Sequence, residues 1–119
     1  MKINVSIGEI IDRYTILQIK MQKIEDASKL NNIRNEFDNL TPIVDKIYAI
    51  FGDSELLYKA DKDLYDINLT IWNIKDQIRQ CESDESFGED FIELARSLYI
   101  NNDERTDIKK LINLITDSK

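Results

Sequence analysis

Trp72, Asp76 and Arg79 carry the most suggestive chemistry in the chain. Asp76 lies one helical turn after Trp72, and Arg79 three residues further, so a helix would present all three on one side. A guanidinium can bind an anion through two parallel hydrogen bonds, a carboxylate can hold that guanidinium in place, and an indole can wall the pocket. The same residues also read as a structural salt bridge closing one end of a core. A carboxylate and a guanidinium that continue an apolar stripe must be paired, bound to a ligand or at the rim. In a second group, Arg96 and Tyr99 are one turn apart, with Asn102, Asp103 and Arg105 just behind them. A turn at Asn101 to Asp103 would bring a helix N-terminus close, where an anion is favoured. Helix caps and a surface ion pair account for the same residues. Trp72, Asp76, Arg79, Arg96, Tyr99 and Asn102 form the candidate ligand-binding set. Catalytic residues stay unassigned.

The acidic pairs are less specific. Glu9 with Asp12, and Asp63 with Asp66, are spaced three apart, and Asp76 lies ten residues after Asp66. Helical carboxylates so spaced can hold Mg²⁺ between themselves and a phosphate, as the all-α nucleotide pyrophosphatases do. Here Asp12 is expected to point away from the core stripe of its helix, Asp63 and Asp66 fall on a polar strip, and Glu9 is assigned to a cap. A solvated face explains them better, and no metal site is assigned. The chain has no histidine and one cysteine. That excludes imidazole bases, His-based triads, His- or thiolate-ligated zinc and an intramolecular disulfide. Cys81 falls on a core stripe as a small apolar residue. The net charge of −7 argues against general binding of nucleic acid, which needs clustered lysine and arginine. A small anion held by two or three arginines stays open.

The elements that must position these groups are helical. The chain of 119 residues is 42% hydrophobic and 33% charged, with three glycines and one proline, which suits solvated helices around one modest core. Leu57, Ala60, Leu64, Ile67, Ile71, Ile74, Ile78 and Cys81 follow at steps of three and four, and Tyr58, Tyr65, Leu69 and Trp72 form a second stripe. A helix apolar on two faces expects neighbours on both. Residues 54–82 are therefore expected to form a long central helix of roughly 40 Å, too long for a globule about 35 Å across. Its ends would project or be covered by a second chain.

Before it, Lys2 to Val5 is expected to be a short extended arm. Ser6 and Glu9 form a capping box opening a helix that ends near Asp26 or Ala27, with Ile7, Ile10, Tyr14, Leu17, Met21 and Ile24 inward. Ser28 begins the next segment, whose stripe runs from Leu30 to Phe51. Thr41-Pro42 could start a new helix, but the unbroken phase favours one helix kinked at Pro42. Gly52 ends it. Glu82 to Ser86 is an acidic linker. Glu89 to Ile100 reads as a shorter helix, Asn101 to Asp103 as a turn, and the remainder as a last helix.

Three stretches carry a resemblance: Val5 to Lys20 (VSIGEIIDRYTILQIK), Trp72 to Arg79 (WNIKDQIR), and Phe91 to Tyr99 (FIELARSLY) continuing to Asn102-Asp103-Glu104-Arg105. They are similar to a family of short proteins from aquatic bacteria and their phages, catalogued only as a domain of unknown function. The resemblance covers nearly the whole chain and implies one domain, residues 1–119. It implies no activity, cofactor or catalytic residue. Its motif takes in Asp76, Arg79, Arg96, Tyr99, Asn102 and Asp103. Ile10-Ile11-Asp12-Arg13 and the helix that follows are also similar to chorismate mutases, small all-α dimers with arginines and a lysine in the pocket, over roughly one helix.

The expectation is an all-α, four- to five-helix bundle acting as a non-enzymatic interaction or small-anion-binding module. It is expected to be a homodimer, from the long two-faced helix, and cytoplasmic, because the start MKINVSIGEII lacks a signal-peptide core and no apolar run approaches membrane-spanning length. The alternative is a small all-α enzyme acting on a nucleotide or other anionic metabolite with Mg²⁺, with a chorismate-mutase-like enzyme as a remote third. No cofactor is identified.

Overall fold

The computed structural model describes residues 5–117. Four helices occupy them, with no strand among the described residues: α1 (Ile7–Lys23), α2 (Ala27–Phe51), α3 (Glu55–Ser83) and α4 (Glu89–Ile115). The arm expected over Lys2 to Val5 falls outside them except for Val5. No helix among the described residues is long and apolar enough to cross a membrane.

Side chains set the starts of α1, α2 and α3. The Ser6 hydroxyl accepts from the Glu9 amide at 3.3 Å, Asp26 from the Lys29 amide at 3.0 Å, and Ser54 from the Leu57 amide at 3.1 Å. Each satisfies an orphan donor of the first turn. Only half of the capping box forms, because the Glu9 carboxylate pairs across helices with Lys109. α1 stops at Lys23, earlier than expected, since Ile24 is already extended (φ −89°, ψ 128°), and Asp26 rather than Ser28 opens α2.

α2 is one helix through Pro42. Proline has no amide for the Asp38 carbonyl, but both residues are exposed, so water can reach the freed group. Next to it the Thr41 hydroxyl donates to the Phe37 carbonyl at 2.8 Å and bonds the Tyr14 hydroxyl at 3.1 Å. The expected turn at Asn101 to Asp103 is absent, so the fifth helix does not exist among the described residues. Asn101 Nδ2 donates back to the Ser97 carbonyl at 2.8 Å instead of capping forward, and Thr106 does the same to Asn102 at 3.1 Å. With no glycine or proline in the stretch, α4 continues.

The buried core draws on all four helices: Ile10 and Ile11 of α1, Val44 and Ile47 of α2, Leu57, Ala60 and Leu64 of α3, and Ile112 of α4. The expected α3 stripe is the inward one, buried at Leu57, Ala60, Leu64, Ile71 and Ile74 and half-buried at Ile67, Ile78 and Cys81. The central position is a different matter. α1 packs against each of the other three helices, whereas α3 packs mainly on α4 and α1. α3 is the longest element, about 43 Å at ~1.5 Å per residue, and the molecule is elongated at 49 × 33 × 24 Å. Its longest dimension accommodates the helix that seemed too long for a sphere. α2 reaches α3 through Tyr48, whose hydroxyl donates to Asp61 and whose ring lies 4.9 Å from that of Tyr58. Burial raises the Asp61 pKa, partly offset by the Tyr48 hydrogen bond; burial and Asp61 together raise that of Tyr48.

α1 and α4 run antiparallel and very close. Gly8 faces Asn113, Glu9 faces Lys109 and Asp12 faces Arg105. The Gly8 amide donates to Asn113 Oδ1 at 2.8 Å, and a Cβ on Gly8 would stand 2.5 Å from the Lys109 carbonyl oxygen. Only a residue without Cβ permits that approach. Gly8→Ala is therefore expected to destabilise the protein by about 1–3 kcal/mol through overpacking, outweighing the ~1 kcal/mol helix-propensity gain of alanine. Urea unfolding measures it; an unchanged or higher midpoint would contradict the close packing.

Candidate anion-binding site

A buried polar centre lies where α1, α3 and α4 meet. Asp12, only 2% exposed, is its focus. Its Oδ1 accepts from Asn68 Nδ2 at 2.9 Å and from Arg105 Nε at 3.0 Å, while Arg105 Nη2 donates to Oδ2. Lys109 Nζ stands 3.8 Å from Oδ2 and also pairs with Glu9. Thr15 completes the set: its hydroxyl donates to the Asp12 carbonyl at 2.7 Å and accepts from Asn68 Nδ2 at 2.9 Å. No buried side-chain nitrogen or oxygen among the described residues lacks a partner. Two carboxylates meet two cations, so the centre is internally neutral. The hydrogen bonds to Asp12 raise the Arg105 pKa against the opposing effect of burial.

Asp12 is thus a correction to the sequence expectation of a solvated carboxylate. α1 has a second buried line, formed by Gly8, Ile11, Asp12, Thr15 and Ile19. Small and polar members hide it from a search for apolar spacing. Asn68 sits on the inward stripe of α3, four residues after Leu64 and three before Ile71, and is 6% exposed. That position is the sequence signal that could have identified it.

Beside this centre, α1, α3 and α4 enclose a cavity of about 330 Å³. Its charged lining consists of Lys20, Lys75, Arg79 and Arg105, and no carboxylate lines it. Ile16, Ile19, Ile71 and Trp72 form apolar walls, and Asn68 adds an amide. Arg105 is committed to Asp12 and Arg79 to Asp76, at 3.0 Å. Lys20 and Lys75 have no ion-pair partner among the described residues. In a chain of net charge −7, this wall carries a local positive excess. A second cavity, also about 330 Å³, lies on the other side of Lys20 and Arg105. There Arg13 is paired with Glu36, so its charges largely cancel.

Of the candidate set, Trp72 and Arg79 line the cationic cavity. Asp76 holds Arg79 from outside, in a pair whose side chains are both more than half exposed. Arg96 and Tyr99 are exposed on α4, and Asn102, half-buried on α4, is not part of this lining. The cations that complete the cavity, Lys20, Lys75 and Arg105, come from three helices, and linear spacing does not bring them together.

Four helices, three of them meeting at a buried ionic centre with a cationic cavity beside it, define an all-α protein with a candidate small-anion site. The chain belongs to the family described as a family of unknown function (DUF6165), whose model matches residues 1–119. No curated protein and no solved structure matches it.

Removing one partner of a buried ion pair leaves the other uncompensated. Asp12→Ala is expected to cost about 3 kcal/mol, whereas Asp76→Ala, in an exposed pair, should cost at most about 1 kcal/mol. Equal denaturation midpoints for the two variants would contradict the structural role of Asp12.

Proposed function

We propose that the protein is a single-domain, non-enzymatic module that binds a small organic anion between α1, α3 and α4. The observation that supports this is the carboxylate-free wall of Lys20, Lys75, Arg79 and Arg105 around Trp72. Cations gathered in a partly apolar cleft repel one another, and a bound anion relieves that repulsion with charge-assisted hydrogen bonds. Trp72 and the isoleucines suit a flat, apolar part of the same ligand. The volume is at the small end for ligand pockets, which span about 300–1,000 Å³; a compact metabolite fits it better than a dinucleotide. Binding rather than turnover is favoured because no carboxylate lines the cavity to act as a base, and the nearby Asp12 is held by Arg105. A cytoplasmic location and a homodimeric state, both expected from the sequence, belong to this reading.

The test is a thermal-shift screen of nucleotides, sugar phosphates and dicarboxylates, followed by calorimetric titration of the best hit. A ligand at about a hundred times its Kd adds roughly 2.7 kcal/mol of stability, a rise of several degrees for a domain of this size. Lys75→Ala and Arg79→Ala remove exposed side chains and should leave the fold intact. Each is expected to weaken binding by about tenfold or more, the loss of one hydrogen bond to a charged group. A hit consumed on incubation would overturn the non-enzymatic part. A flat panel, or binding indifferent to both variants, would overturn the site.

A further inference from the structure

Helix α4 carries large apolar residues, interleaved with charged ones, on the side that faces away from the protein. Its inward face carries Ile108, Ile112 and Ile115. On the opposite side Ile92, Tyr99, Ile100, Leu111 and Leu114 are all exposed, Tyr99 at 68% and Leu114 at 79%. Five of the ten large hydrophobics exposed among the described residues therefore stand on one helix. At ~100° per residue they fall within a single stripe about 120° wide. Scattered exposed hydrophobics are ordinary, but five on one helix face, interleaved with charges, suit an interaction surface.

The polar residues within the stripe indicate the partner. Glu89, Glu93, Asp103 and Lys110 are exposed within it and have no ion-pair partner among the described residues, and the same holds for Arg96 and Asp107. Arg96 and Asp107 lie three turns apart on α4, too far to pair with each other. In an antiparallel pairing of two copies of α4, the register that sets Ile92 opposite the partner subunit's Leu111 also sets Arg96 opposite the partner subunit's Asp107. Two-fold symmetry repeats both contacts, as an isologous interface requires. One pairing thus brings Ile92 and Leu111 together twice and neutralises Arg96 and Asp107 twice, and it also sets Glu93 opposite the partner subunit's Lys110.

We infer that the outward face of α4 is a homodimer interface, with α4 packing antiparallel on its symmetry mate and Arg96 pairing with the partner subunit's Asp107. The inference rests on the homodimeric part of the proposed function and is independent of the anion cavity. It gives Arg96 and Tyr99 a role at a subunit boundary rather than in a ligand pocket. One helix about 40 Å long offers less than the standard interface of about 800 Å² per partner, so micromolar association is expected.

Sedimentation velocity of the full chain over a micromolar concentration series tests it, with circular dichroism to verify folding. The wild type should move from monomer to dimer across the series. Arg96→Asp and Asp107→Arg should each weaken dimerisation by at least about tenfold, since symmetry applies each like-charge contact twice. The double variant should recover most of the loss, which only pairing between chains can produce. Leu111→Glu should abolish the dimer, and Lys75→Ala, which changes the anion cavity alone, should leave it unchanged. A wild type that stays monomeric throughout would overturn the inference. So would a dimer indifferent to the charge changes, or single variants that the double variant fails to rescue.

Discussion

Asp12 is almost fully buried, and an ionised carboxylate taken out of water destabilises a fold by several kcal/mol unless cations and donors surround it. The protein meets that demand from two other helices at once. Arg105 of α4 grips both carboxylate oxygens, and Asn68 of α3 donates to one of them. Such an interaction is more directional than apolar contact. A one-residue slip of α4 along α1 would separate the guanidinium from the carboxylate, whereas the isoleucines could repack. The centre therefore sets register where the apolar core supplies bulk.

Much of the rest follows from this demand. α4 must come close to α1 to bring Arg105 and Lys109 within reach, so the crossing point at Gly8 has no room for a side chain. Glu9 is drawn off its own capping position to pair with Lys109, which leaves Ser6 to cap α1 alone. Arg105 takes part in two places, because it neutralises Asp12 and also forms part of the cationic cavity. Ligand and fold would then share one guanidinium, and an anion in the cavity would reinforce the same contact between helices.

The helical class was legible in the sequence because apolar spacing of three and four survives packing. The stripes of α2 and α3 and the cap at Ser6 could be read directly. α2 remained one helix through Pro42, as its unbroken phase implied. α1 was misjudged for a physical reason. Its second buried face is built from glycine, threonine, aspartate and isoleucine, and a polar residue announces burial only when its partners are known. Arg105 and Asn68 are far from Asp12 in sequence, so neither could signal it. The break expected at Asn101 to Asp103 failed because side chains good at capping can also bond back to their own helix when nothing forces a stop. Trp72 and Arg79 line the same cavity, as their spacing on one helix allows. Lys20, Lys75 and Arg105 join them only after three helices have packed.

The central claim is that Asp12 and Arg105 act as one unit fastening α4 to α1. A double-mutant cycle in chemical denaturation, with Asp12→Ala, Arg105→Ala and the pair combined, measures this most directly. The account predicts strong coupling, at the upper end of the roughly 0.5–3 kcal/mol found for residues in direct contact, with the double variant more stable than the sum of the single losses implies. Additivity within about 0.5 kcal/mol, the behaviour of independent sites, would contradict it.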